Sequence, residues 1–171
     1  MIALSKMADH GVTVAVALAR AEAAATGSQT ATTAAAIAGI TELPLPTVAK
    51  ILKLLVHGGV AVSQRGTKGG YRLASLPQSI AVWQIMVAID GDFGLTECSQ
   101  HSSTNGAESP CERSRFCPIR PQWQRVNEVI INSLKTISLS EMMPPVYALP
   151  KVLETTKPAY QGSTVQSGFS A

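Results

Sequence analysis

Apolar positions in the first half of the chain fall at helical spacing and are interrupted at regular places. Ala8, Val12, Ala15, Val16 and Ala19 recur every three or four residues through Ser5–Ala25, a stretch without proline, which predicts one long amphipathic helix. Gly11 is a tolerable defect within it, and Thr26-Gly27-Ser28 ends it. A short second helix is predicted over Thr32–Ile40, with Thr30, Thr32 or Thr33 available as N-cap and Gly39 near its end. Pro44 and Pro46 suit the first turn of a third helix, where a missing N–H costs nothing. Val48, Ile51, Leu52 and Leu55 form its apolar face, Lys50, Lys53 and His57 lie off that face, and Gly58-Gly59 stops it.

Two short helices with a tight connection predict a helix-turn-helix. The next residues extend the pattern. Val60-Ala61-Val62-Ser63 reads as a strand, Arg65-Gly66-Thr67-Lys68-Gly69-Gly70 as a glycine-rich turn, and Tyr71-Arg72-Leu73 as a returning strand. The expected fold is therefore mainly α, a winged helix-turn-helix with a small β-hairpin wing carrying Arg65 and Lys68 at its tip. In such a fold the third helix enters the major groove and the hairpin reaches an adjacent groove or the backbone. The glycine-rich tip lacks both the GK[ST] ending and a following helix, which argues against a nucleotide-binding loop. Ser79–Asp90 is predicted as a fourth helix, with Ile80, Trp83, Ile85, Val87 and Ile89 largely apolar. Gly91–Pro121 loses periodicity. Gln122–Leu139 regains it, with Trp123, Val126, Ile130, Leu134 and Ile137 on one face, a stripe for which a second subunit is the expected cover. From Pro144 the chain is rich in Pro, Ser, Thr and Gly, and a disordered tail is expected. The organisation expected is a DNA-binding domain at 1–91, a cysteine loop at 92–121, a dimerisation helix at 122–143 and a tail at 144–171.

Charge sharpens this picture. Leu43–Ile89 holds no Asp or Glu but carries Lys50, Lys53, Arg65, Lys68 and Arg72, so a segment at +5 sits in a chain of net charge +3. A segregated positive stretch suits a polyanion such as double-stranded DNA. With 171 residues, 46% of them apolar, the chain buries a core without covalent staples, and three cysteines exclude a disulfide scaffold. No apolar run reaches the ~18 residues of a spanning helix, and the first 25 residues lack a secretory signal's pattern. No membrane association is expected, and a reducing cytoplasm is the expected location. The cysteine loop shows no paired base or pocket, so neither an enzyme nor a small-molecule substrate is expected.

The three cysteines lie close together. Cys98, Cys111 and Cys117 are spaced C-x12-C-x5-C in one polar stretch, whereas ordinary core cysteines scatter through apolar elements. Gathered thiolates suit a soft metal. Zinc sites usually use C-x2–4-C pairs, absent here, and the wide spacing favours an iron–sulfur cluster. A zinc site, or redox thiols without metal, are the alternatives. Three cysteines leave one position open, for which Asp9, His10, His101 and Glu97 are candidates.

Taken together, the residues resemble the Rrf-two family of winged-helix regulators, the IscR/NsrR type. The likeness runs through Leu4-Ser5-Lys6-Met7-Ala8-Asp9, through Ser63-x-Arg65-Gly66-x-x-Gly69-Gly70-Tyr71-x-Leu73-Ala74, through Ile85–Gly91, the three cysteines, and Ser133-Leu134 with Ile137-Ser138-Leu139 and Met142. Within the family the chain is most similar to regulators of SUF-type iron–sulfur assembly operons. The resemblance implies a homodimeric repressor on a palindromic operator, with one iron–sulfur cluster per subunit, 2Fe-2S favoured over 4Fe-4S. Recognition-helix contacts of the family fall on Pro46, Thr47, Ala49 and Lys50, and its minor-groove wing arginine on Arg65. Lys53 and Lys68 join this set by charge. Two departures stand out: the first cysteine gap exceeds the usual five residues, and Arg120 stands where IscR-like members place a histidine. A first-helix acid of the NsrR-like arrangement falls on Asp9, which ranks Asp9 ahead of His10 and His101 as fourth ligand.

Overall fold

The computed structural model describes residues 4–24, 31–66, 69–91, 94 and 116–143. Helix α1 (Lys6–Ala24) starts at Ser5, whose Oγ accepts the amide of Ala8 at 2.9 Å. It buries Ala8, Val14, Ala15, Leu18 and Ala19. The residues between α1 and Ala31 lie outside the described set. Helix α2 (Ala34–Thr41) is capped by Thr33, which accepts the Ala36 amide at 3.2 Å, so of the three candidate threonines Thr33 serves. Thr32 does something else, described below. The turn after α2 passes through Glu42, the one described non-glycine residue at positive φ (57°). Helix α3 (Leu45–His57) follows, with Pro46 in its first turn and Gly58 as C-cap.

Strands β1 (Ala61–Gln64) and β2 (Gly70–Leu73) form the antiparallel hairpin, pairing Ala61 with Leu73 and Gln64 with Gly70. Thr32 adds a one-residue third strand: its amide donates to Tyr71 O at 2.9 Å and its carbonyl accepts from Tyr71 N at 2.8 Å. The approach is close. A Cβ on Gly70 would lie 2.6 Å from Thr32 O, so only glycine lets the hairpin sit flush there.

After a 3-10 turn (Pro77–Ser79), helix α4 (Val82–Asp90) begins later than the periodicity predicts. Ile80 and Ala81 are extended because their backbone pairs with a distant segment: Leu139 N donates to Ile80 O at 2.7 Å and Val82 N to Ile137 O at 2.9 Å. That pairing also ends helix α5 (Arg120–Thr136) before the predicted Leu139. Leu139 is fully buried in the same core as Leu18, Ile37, Ile51, Leu52, Leu55 and Ile85. Just before it, Ser138 donates through Oγ (2.7 Å) and N (3.1 Å) to the Glu141 carboxylate, holding that exposed acid below its ordinary pKa.

Helix α1 is central, packing on α2, α3, α4 and β2, while α5 packs on α4. Two glycines set the distance of α4 from its neighbours. A Cβ on Gly11 would come within 2.7 Å of Ile89 Cγ1. One on Gly58 would overlap Ala88 Cβ and stand 3.0 Å from Ala88 Cα. Gly11, a weak point by helix propensity alone, is thus the crossing point of α1 and α4. Among the described residues, no single helix is long and apolar enough to cross a membrane.

Candidate nucleic-acid interface

Helix α3 divides cleanly. Val48, Ile51, Leu52 and Leu55 are wholly buried against α1, α2 and α4, while Pro46, Ala49, Lys50, Lys53 and His57 are exposed. The exposed set follows the i, i+3, i+4, i+7 spacing of one helical face. Thr47 is half-buried at its margin. Lys50, Lys53 and His57 border an open groove of about 450 Å³ with Leu54 and Val56. No acid lies on this helix; Glu42, in the preceding turn, is the nearest along the chain.

The wing supplies a second cationic element. Arg65 directly follows β1 and is exposed. Lys68, expected at the tip, lies outside the described residues. At the base of the wing, β2 is anchored on the edge away from β1 by Thr32 and by Glu22, whose carboxylate accepts the amide of Leu73. Glu22 near the end of α1 belongs to no motif and no apolar stripe, and nothing in the sequence pattern singles it out.

The expected metal ligands are distributed differently. Cys98, Cys111, His101 and Glu97 lie outside the described residues. Cys117 is a half-buried thiol just before α5, its carbonyl accepting the Arg120 amide at 3.3 Å. Asp9 is exposed on α1 and lines a cavity of about 380 Å³ with Val12, Val16, Arg20, Ile40 and Met142, and His10 beside it is half-buried. Among the described residues, no three His, Cys, Asp or Glu side chains come together as a metal site.

The stripe expected on the long helix is split. Leu134 and Ile137 pack within the chain against Ala8, Val82 and Met86, so the lower end does find an internal partner. Ile130 is half-buried. Trp123 (40% exposed), Val126 (45%) and Val129 (60%) stay open, as do Ile119 and Phe116.

An exposed, acid-free helix face beside a two-stranded wing, both on one helical body, defines a winged-helix DNA-binding regulator of transcription. The model for Rrf2, iron-dependent transcriptional regulator, matches residues 4–145, and the chain belongs to that family. It is 32% identical over 94 residues to the HTH-type transcriptional regulator IscR of Aliivibrio salmonicida, an alignment covering 55% of this chain and 52% of that one. It is 27% identical over 103 residues to protein rrf2 of Nitratidesulfovibrio vulgaris, covering 60% and 64%. The chain thus spans about half the length of the IscR relatives it matches. Its fold is similar to that of CymR, the global cysteine regulator of B. subtilis, with a TM-score of 0.60, 22% identity, and 84% and 97% of the two chains covered. The IscR structure from T. potens gives 0.59 and 22%, with 83% and 86% covered. These relatives are transcriptional regulators, not enzymes.

Proposed function

We propose that this chain is an iron–sulfur-cluster-dependent repressor of iron–sulfur cluster assembly genes, acting in the cytoplasm as a homodimer on a palindromic operator. The observation that carries the DNA half is the segregation on α3, where every exposed charge is positive and the apolar face is wholly used in the core. Pro46, Thr47, Ala49 and Lys50 are the recognition-helix contacts, Lys50 and Lys53 mostly to phosphate, and Lys68 adds a further phosphate contact. Arg65 reaches the minor groove from the wing. The open apolar positions on α5, from Trp123 to Val129, support a two-fold interface.

The cluster half rests on donor chemistry and on the family's description as iron-dependent. Three thiolates within one short stretch are soft ligands that match iron. Cys98, Cys111 and Cys117 would hold the cluster, with Asp9 as a harder, weaker fourth ligand ahead of His10 and His101. When bound, such a cluster supplies a centre sensitive to oxidation and to iron supply. The 2Fe-2S form is favoured. A second reading, a zinc or thiol-redox regulator without a cluster, is favoured by Arg120, which stands where IscR-like members place a histidine.

Anaerobic purification separates the two. Cluster protein is brown to red and absorbs visible light, zinc or thiol protein is colourless, and Cys111→Ala loses the colour. Anisotropy titrations of an operator selected from a random duplex pool then compare holo protein, apo protein and Cys111→Ala at fixed salt. A sensor shows at least about tenfold difference between holo and apo, a coupling of ~1.4 kcal/mol. Identical curves would make the cysteines structural and leave the DNA reading standing.

A further inference from the structure

The wing is a short hairpin, and its orientation decides where Arg65 arrives. In the ladder, Arg72 pairs with Val62 and Gly70 with Gln64. The amides of Tyr71 and Leu73 therefore face the opposite edge of β2. Tyr71 is satisfied there by Thr32 through two backbone hydrogen bonds. Among the described residues, the pairing on this edge is the single Thr32–Tyr71 bridge, and the acceptor for the Leu73 amide comes from a side chain. Leu73 is 3% exposed, and a buried amide without an acceptor is costly. The Glu22 carboxylate fills the place, reaching from α1 across 51 residues of sequence.

We infer that Glu22 is a positioning residue for DNA recognition, fixing the angle at which the wing presents Arg65. This rests on reading the protein as a DNA-binding winged helix. The clamp sits at the end of β2 farthest from the tip, and its partner helix α1 also packs on α3. Wing and recognition helix are thus referenced to one element. The hairpin from Leu73 to the Gln64–Gly70 end spans roughly 10 Å, so a tilt of about 10° at its base carries Arg65 by nearly 2 Å. A displacement of that size breaks a minor-groove contact while leaving the core in place. A charged acceptor forms the stronger bond, and a neutral amide oxygen still occupies the site.

The test uses the full chain and anisotropy titration of the selected operator with wild type, Glu22→Ala, Glu22→Gln, Arg65→Ala and the double variant Glu22→Ala/Arg65→Ala. The inference expects Glu22→Ala to weaken operator binding by about fivefold or more, Glu22→Gln to stay within about twofold, and Glu22→Ala to have no further effect once Arg65 is gone, the non-additivity of groups acting through one contact. A role confined to stability lowers the unfolding midpoint and leaves affinity unchanged below it. Wild-type affinity in Glu22→Ala, or an equal loss with and without Arg65, overturns the inference while the DNA reading stands. A wild-type chain that binds no duplex overturns both. Should Glu22→Ala fail to fold, amide hydrogen exchange in the wild-type chain decides: a Leu73 amide as protected as that of Tyr71 supports the clamp, and exchange at an open-edge rate overturns it.

Discussion

The close approach of Gly58 to α4 gives a quantitative prediction. Gly58, the C-cap of recognition helix α3, has φ −78° and ψ 3°, a conformation alanine adopts without strain. On backbone grounds alone, Gly58→Ala stabilises by about 0.4–1 kcal/mol through the unfolded chain. Packing opposes this. The new methyl would overlap Ala88 Cβ and lie 3.0 Å from Ala88 Cα, a backbone atom that cannot swing aside. Carbon contacts settle near 3.5–4.0 Å, so clearing the overlapped Ala88 methyl requires α4 to withdraw by about 1–1.5 Å. Overpacking of this kind costs about 1–3 kcal/mol. The expected net is a destabilisation of about 1–2 kcal/mol, read as a lower urea midpoint at unchanged slope. Ala88→Gly alone loses up to about 1 kcal/mol of helix propensity. Combined with Gly58→Ala it exchanges the methyl across the interface and regains most of the loss, a coupling of about 1–2 kcal/mol in the double-mutant cycle. Gly58→Ala at or above wild-type stability, or a strictly additive cycle, would refute the close-packing argument.

Other consequences are as direct. Replacing both Lys50 and Lys53 by Ala should lower the slope of log K against log salt by about 1.8 in all, and weaken random duplex as much as operator; a loss confined to the operator would give these lysines a base-reading role instead. Val126→Asp sets a charge on a position 45% exposed within the chain, so folding should persist while dimerisation weakens by several kcal/mol. Sedimentation of that variant as an unperturbed dimer at low micromolar concentration would remove α5 from the interface. Glu141, its pKa lowered by hydrogen bonds from Ser138, contributes stability that is whole above its unfolded pKa and fades as pH falls through the lower folded one. Urea midpoints measured between about pH 5 and pH 3 should therefore decline less steeply for Glu141→Gln than for wild type.

Local features of this fold were readable from residues alone, because their causes are local. The 3.6-residue recurrence of Val48, Ile51, Leu52 and Leu55 forces one face of α3 inward, and Lys50, Lys53 and His57 must then face out. Glycines flanking two short β-prone runs give the wing. What escaped detection depends on residues far apart in the chain. Ile80 has helical neighbours on its C-terminal side, yet its carbonyl is taken by Leu139, and that pairing holds it extended. The same contact cuts α5 short and brings Leu139 into the core. Glu22 carries no periodic signature because its partner is a single backbone amide on β2. For the metal site, only the ligand chemistry is readable; Cys98, Cys111 and His101 lie outside the described residues.

The pairing of Ile80 and Val82 with residues 137–139 has a bearing on how the protein is made. Residues are synthesised in order, and domains generally fold as they emerge. Here the helices that read DNA come first, but their core stays open at the place Leu139 fills. Closing it means drawing together the two ends of a long intervening segment, an entropic step that waits for the last residue of the contact. That segment holds all three cysteines and α5. A nascent chain therefore completes its winged-helix body only after the whole cysteine-bearing segment has left the ribosome, and a message truncated within that segment yields no fully packed protein.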